Sequence, residues 1–159
     1  MKFQNIDQIK DGGFSGFVSV GDLYRSGCAS ITEQGGVYMI LRNSDSAPRF
    51  LVKGSGGYFQ GKEPNVDVDV LKEHWNDGTC VLYVGKSTNL RRRLSEYMRF
   101  GHGEDVGHYG GRFIWQLAGH DGLIVCWKPT ASNPRNEEIS LIQEFTGEYG
   151  KRPFANLRD

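Results

Sequence analysis

Short apolar runs and helix-spaced apolar residues alternate along the chain without a regular repeat. The runs that predict strands, bounded by glycine or other turn-forming residues, lie at 35–42, 49–53, 81–85 and 123–127. The segments that predict helices lie at 20–26, 68–75, 90–98, 112–118 and 134–149, of which 112–118 also suits a strand. This irregular mixture predicts an α+β domain with a small antiparallel sheet.

Residues typical of helix ends support the two longest predicted helices. Ser87 or Thr88 can cap the first of them, because their hydroxyl groups accept hydrogen bonds from free backbone N–H groups. Asn133 followed by Pro134 predicts the start of the second, and Gly150 predicts its end.

The length and charge of the chain limit the classes of function. With 159 residues, the chain is expected to form one domain. Lysine plus arginine equals aspartate plus glutamate, 19 each, so any basic function must come from local clustering. No apolar run approaches the roughly 20 residues of a membrane span, and residues 1–13 lack the apolar core of a signal peptide. We expect no membrane partner.

Three widely spaced cysteines, Cys28, Cys80 and Cys126, indicate the redox environment. They are odd in number and form no CxxC pair, which argues against a disulfide framework or a metal site. We interpret them as reduced packing residues and expect a cytoplasmic protein.

Arg93 stands at an unusual position on the helix that follows residue 88. On a helical wheel, the apolar residues of this helix fall within an arc of about 100°, and Arg93 borders that arc while Arg92 and Arg99 lie opposite. Arg93 could simply lay its aliphatic stem along the helix with its charge in solvent. Alternatively, its guanidinium is held at the edge of the core and faces an anion.

Glu138 is the second unusual residue. It falls in the middle of the apolar face of the last helix, within about 60° of Ile142 and Phe145. A buried, unpaired carboxylate is unfavourable by several kcal/mol, so a partner is expected. That partner is either one of the arginines or a metal ion at the floor of a cleft.

The stretch GKST at 85–88 has the form of the end of a phosphate-binding P-loop. That loop also requires a glycine at position 80, where this chain has Cys80. A nucleoside triphosphatase is therefore not predicted.

Several motifs occur in an order that resembles the GIY-YIG nuclease family. They are GVY at 36–38, YVG at 83–85 with Lys86 after it, Arg93, ExxLI at 138–142 and PFAN at 153–156. The stretch YVGKSTNLRRRLSEYM is similar to the corresponding segment of the N-terminal incision domain of the bacterial excision-repair nuclease.

This resemblance covers about residues 35–156 and implies a small three-stranded antiparallel sheet flanked by helices. It departs from compact family members because 44 residues separate Tyr38 from Tyr83. We expect a GIY-YIG-like domain at 35–159 with an inserted hairpin or lobe at about 44–80. Residues 1–34 are expected to form an N-terminal extension packed on the core.

The resemblance also implies the chemistry. Glu138 would hold one divalent cation, Mg²⁺ or Mn²⁺, and Arg93 would grip the scissile phosphate. Tyr38, Tyr83 or Lys86 would be the general base, and the choice among the three stays open. The side chains expected to support this site from behind are Asn156 and Tyr97.

Other side chains are candidates for substrate contact. The arginines expected to bind flanking nucleic-acid phosphates are Arg91, Arg92, Arg99 and Arg112. In the glycine-rich loop at 101–112, His102 or His108 is a candidate catalytic assistant, and a second metal site is a further alternative. The insertion is either a packing elaboration or a substrate clamp that uses its cations and aromatic residues.

The leading hypothesis is a metal-dependent endonuclease that cuts DNA in a repair-like or restriction-like reaction, with single-stranded DNA and RNA also open. No sequence signal indicates a second, targeting domain, so we expect either a targeting partner protein or simple substrates. The alternatives are a catalytically silent nucleic-acid-binding module and a structural protein in which an Arg93–Glu138 pair joins two helices.

Overall fold

The computed structural model describes residues 1–157, so the predicted end of the domain at residue 159 lies outside them. The helices are α1 (Ile6–Asp11), α2 (Val20–Ser26), α3 (Val68–His74), α4 (Leu90–Gly101) and α5 (Pro134–Tyr149). The strands are β1 (Ser15–Ser19), β2 (Gly36–Leu41), β3 (Val81–Ser87) and β4 (Ile124–Pro129). Short 3₁₀ helices lie at Phe59–Gly61, Tyr109–Gln116 and His120–Gly122. The predicted α+β class is confirmed.

The four strands form one antiparallel sheet in the order β1-β4-β2-β3. The family resemblance implied three strands, which correspond to β2, β3 and β4, and the additional strand is β1, which pairs with β4. Gly16 and Phe17 both adopt positive φ and shift the register of β1. Because this irregularity breaks the two-residue alternation, the strand has no clear signal in the sequence.

Strand β2 lies in the middle of the molecule and is buried along its whole length. Val37 and Met39 pack on one face with α1 and α5, whereas Tyr38 and Ile40 pack on the other face with α2 and α4. Each fully buried apolar side chain stabilises the fold by about 1.5–3 kcal/mol. Covered on both faces, β2 fixes the positions of α4 and α5 relative to the sheet.

Two local predictions were wrong. Residues 49–53 form only an isolated bridge, between Phe50 and Leu117, because the buried side chain of Gln116 takes up the neighbouring backbone groups of Leu51 and Val66. Helix α4 is capped by Asn89, whose Oδ1 accepts from the N–H of Arg92 at 3.1 Å, and not by Ser87 or Thr88. Ser87 still belongs to β3, where it pairs with Gly36 of β2, so α4 cannot begin before Asn89.

The two segments outside the predicted core have distinct positions. Residues 1–34 provide α1, β1 and α2, of which β1 extends the sheet. Residues 44–80 contain α3 and one 3₁₀ turn, with no regular strand. No helix within residues 1–157 has the length and apolar character needed to cross a membrane.

All three cysteines are buried free thiols. Burial raises the pKa of Cys28 and of Cys80 to about 11, and it raises the pKa of Cys126 further. The thiol form is therefore dominant at neutral pH, and the thiolate is the form that reacts.

Iodoacetamide at pH 8 should leave the native protein unmodified, because about one thiol in a thousand is ionised when the pKa is about 11. The same treatment in denaturant should modify all three cysteines. Mass spectrometry of both samples measures the difference. Rapid labelling of the native protein at Cys28 would show that this thiol is exposed, contrary to the structure.

Candidate active site

A cavity of about 400 Å³ opens beside the edge strand β3, between α5 and the 3₁₀ helix at Tyr109–Gln116. Its lining residues are Tyr83, Lys86, Tyr109, Gly110, Arg112, Arg135, Glu138, Asn156 and Leu157. Five of these nine were predicted as site residues from the sequence: Tyr83, Lys86, Arg112, Glu138 and Asn156. Segments far apart in the chain therefore meet around one polar cavity.

The register between β2 and β3 brings the two motif tyrosines together. Tyr38 lies opposite Gly85 and Ile40 lies opposite Tyr83, so both tyrosines are on the same face of the sheet. Their ring centroids are 6.1 Å apart. The Tyr38 ring lies directly over Gly85, and a Cβ atom there would overlap the ring. The glycine of YVG is therefore needed for the tyrosine of GVY to occupy its place.

The two tyrosines differ in access to the cavity. Tyr83 is partly exposed and lines the cavity, whereas Tyr38 is 1% exposed and does not line it. The hydroxyl oxygen of Tyr38 lies 2.8 Å from Nε2 of His108, another fully buried residue. A substrate in this cavity would meet Tyr83 and not Tyr38.

Tyr97 and Arg93 of α4 stand behind the tyrosine pair. The buried hydroxyl group of Tyr97 donates to the carbonyl of Gly111 at 2.8 Å, and its ring stacks on His108 with centroids 3.7 Å apart. Arg93 is half-buried, and its Nη1 donates to the carbonyl of Gly107 at 2.6 Å. Arg93 therefore lies at the edge of the core, held by the loop before the 3₁₀ helix.

Burial and nearby charges act in opposite directions on the tyrosines. Burial raises the pKa of Tyr83 to about 12 and the pKa of Tyr38 well above its ordinary value. The positive charge of Arg93 lowers the pKa of both, and the negative charge of Glu138 raises it. The cation that favours ionised tyrosine is thus Arg93, whereas Lys86 acts on Glu138.

Glu138 is half-buried on the first turns of α5. Burial raises its pKa, and the positive charges of Lys86 and Arg135 lower it. Within the described residues, its carboxylate has no hydrogen bond and no ion pair within 4 Å, and Arg93 bonds to Gly107 instead. Of the two alternatives for the partner of Glu138, the direct pair with an arginine is therefore not formed among residues 1–157.

The donor set of the cavity suits a hard divalent cation. No group of three metal-ligating side chains comes together anywhere in residues 1–157, so Glu138 would be the one anionic protein ligand. Mg²⁺ keeps several waters and binds through one or two carboxylates plus substrate phosphates. A half-buried carboxylate that has no direct partner among residues 1–157 and lies in a polar cavity fits that mode of binding.

Asn156 supports the strand at the cavity wall. Its Oδ1 accepts from the N–H of Val84 and its Nδ2 donates to the carbonyl of Val84, both at 2.9 Å. The preceding residue, Ala155, donates its N–H to the carbonyl of Leu82. The C-terminal segment therefore pairs with the edge of β3, and Asn156 fixes the strand that carries Tyr83.

The four arginines predicted to bind phosphates have different surroundings. Arg91 donates to the carbonyl of Ile31 and pairs with Glu33, which ties α4 to the N-terminal segment. Arg99 lies 3.9 Å from Glu104, and Arg92 is exposed on the surface. Of the four, the cavity includes Arg112 alone, whose guanidinium lies over the Tyr109 ring.

The two candidate histidines lie in separate places. His108 is enclosed by Tyr38 and Tyr97 beside the cavity. His102 stacks on Tyr24 of α2, and its Nε2 lies 3.4 Å from Asp121. His102 is not part of the cavity lining.

Arg135 and Tyr109 also line the cavity, and neither was predicted from the sequence as a site residue. Arg135 precedes Glu138 by three residues, so helical spacing alone could have placed both on one side of α5. Tyr109 lies among glycines, where no periodic pattern gives its direction.

Comparisons with known proteins give no relative from which a function could be transferred: no family model, curated protein or solved structure matches this chain. The function must therefore be inferred from the cavity and its residues.

Gly85→Ala should lower the free energy of unfolding by about 1–3 kcal/mol, because the new methyl group forces the buried Tyr38 ring to move. Gly147→Ala on α5 is the matched control. A Cβ there meets no atom within 4 Å, so it should raise stability by about 0.5–1 kcal/mol. Urea unfolding measures both variants. Equal stability of Gly85→Ala and wild type would contradict the close contact.

Proposed function

We propose that this protein is a metal-dependent endonuclease of the GIY-YIG type that hydrolyses phosphodiester bonds in DNA. The observation that carries the proposal is the place of Glu138. Its half-buried carboxylate, without a direct partner in residues 1–157, lines the same cavity as Tyr83 and Lys86. A binding surface for a polyanion has no need of a half-buried carboxylate at its centre.

In the proposed reaction, a divalent cation and the basic side chains of the cavity have different roles. When bound at Glu138, Mg²⁺ or Mn²⁺ supplies Lewis-acid stabilisation of charge on the phosphate and the leaving oxygen. Lys86, Arg112 and Arg135 also line the cavity and attract the substrate's phosphates. Favourable charge for the transition state is thus concentrated where the phosphate would bind.

Arg93 does not line the cavity, so in this proposal it acts through its positive charge on Tyr83 and not by gripping the phosphate directly. One of its five N–H groups donates to the carbonyl of Gly107, which holds the guanidinium in place. The same positive charge stabilises ionised Tyr83.

Tyr83 is the general base that the site supports best. It lines the cavity and lies within the field of Arg93, whereas Tyr38 is covered by His108. Because the pKa of Tyr83 is about 12, the phenol is protonated at neutral pH before the reaction. A divalent cation held at Glu138 would lower that pKa, and because Tyr83 is partly exposed its proton can leave directly to solvent.

A catalytically silent nucleic-acid-binding module is the second candidate. The raised pKa of Tyr83 and the three cations that line the cavity favour it. The structural alternative, in which Arg93 pairs with Glu138 to join two helices, has no supporting contact among residues 1–157, since Arg93 donates to Gly107.

Replacing the Glu138 carboxylate distinguishes a nuclease from a catalytically silent binding module. Glu138→Gln should abolish Mg²⁺- or Mn²⁺-dependent cutting of circular and linear DNA while leaving DNA binding intact, because the amide keeps the shape and loses the charge. Gel-based cleavage and fluorescence-anisotropy binding measure the two properties.

Glu137→Gln is the matched control. Glu137 neighbours Glu138 on α5 but faces Lys128 at 3.7 Å, outside the cavity lining. It should cut like the wild type. Binding without cutting in the wild type, with either metal, would establish the silent module. Undiminished cutting by Glu138→Gln would show that this carboxylate is not the metal ligand.

A further inference from the structure

Lys62 brings a cation from the insertion at 44–80 to the wall of the cavity. Its ammonium group lies 5.6 Å from the centroid of the Tyr109 ring, and that ring lines the cavity. The guanidinium carbon of Arg112 lies 4.1 Å from the centroid of the same ring. Aromatic rings attract cations because their faces carry negative charge. Two cations, one of them from the insertion, are therefore held at one ring beside the cavity.

Hydrogen bonds fix this part of the insertion against the glycine-rich loop that follows α4. The hydroxyl group of Tyr109 donates to the carbonyl of Glu63, next to Lys62, at 2.8 Å. The backbone N–H of Gln60 donates to Oδ1 of Asp105 at 3.3 Å. The position of Lys62 over the ring is thus supported from both sides of Lys62 along the chain.

The turn before Lys62 has an unusual backbone conformation. Gln60 adopts a φ of 54°, in the left-handed region that residues with a side chain rarely occupy. Such a conformation persists only where surrounding contacts hold it, and residues of this kind cluster at functional sites. Here the bond to Asp105 is such a contact.

The charge of Lys62 is not neutralised within the fold. Its side chain is exposed and forms no ion pair among residues 1–157. The adjacent Glu63 could have provided one, but its carboxylate accepts from the backbone N–H and from Nδ2 of Asn65, at 2.9 and 2.7 Å. A cation that is positioned and left unpaired is suited to an anion from outside the protein.

We infer that Lys62 binds a backbone phosphate of nucleic acid next to the phosphate in the cavity, so that the insertion is a substrate-binding element. Tyr109 is the positioning residue that holds Lys62 at the cavity. The place of this contact beside the scissile phosphate rests on the proposed nuclease function. The contact itself can be measured without any cutting.

Fluorescence anisotropy with labelled single-stranded and duplex oligonucleotides, in EDTA and at several salt concentrations, tests the contact. Lys62→Gln should weaken binding about 2- to 5-fold at low salt. The slope of log Kd against log salt should fall by about 0.7 for the single strand and about 0.9 for the duplex, because one phosphate fewer releases its counterions. Lys62→Arg, which keeps the charge, should bind like the wild type.

Two further variants complete the design. Lys10→Gln is the matched control, because Lys10 of α1 also lies over an aromatic ring, 5.1 Å from the centroid of Phe17, but outside the cavity lining. It should bind like the wild type. In a Tyr109→Leu background, Lys62→Gln should lose most of its effect, because the ring that holds Lys62 is then absent.

Unchanged affinity and salt slope in Lys62→Gln would overturn the inference, and if the wild type still cuts DNA, the nuclease proposal stands without it. A packing role for Lys62 would lower stability in urea unfolding and leave the salt slope unchanged, which would also overturn the inference. Binding that depends on Lys62 without cutting under any condition would support the contact and remove the nuclease. Failure of the wild type to bind either oligonucleotide would overturn both.

Discussion

The contact between the Tyr38 ring and the backbone of Gly85 sets the geometry of the site. It is possible in one register of β2 against β3, in which both tyrosines point to the α4 face. A slip by one residue would move them to the α5 face, away from Arg93. The complete burial of β2 stabilises this register, because a slip would also misplace its apolar residues.

Glu138 lines the same cavity as Tyr83 but belongs to α5, on the opposite face of the sheet. Helix α5 packs on the other face of the sheet, and the two layers meet beyond the edge strand β3. Asn156 pairs with that edge, so the wall of the cavity is fixed while its interior stays polar. The raised pKa of Glu138 shows that burial outweighs the attraction of Lys86 and Arg135. A bound cation would reverse that balance, which links the fold to the proposed chemistry.

The sequence predicted those parts of the site that depend on helix faces and strand motifs. The unusual positions of Arg93 and Glu138 could be predicted because helical spacing fixes the direction of a side chain. The burial of Tyr38 behind His108 could not, since it depends on a glycine-rich loop without periodicity. The pairing of Arg91 with Glu33 was equally hidden, because it joins segments 58 residues apart.

The most direct test of the central claim is to locate the cation. Mn²⁺ added to ¹⁵N-labelled protein with a short single-stranded oligonucleotide broadens the amide signals of residues near the ion. The proposed function predicts that the first signals lost are those of Glu138, Tyr83 and Lys86. Broadening confined to exposed acidic residues such as Asp45 and Asp69, with the cavity unaffected, would contradict a metal site at Glu138 and the nuclease mechanism built on it.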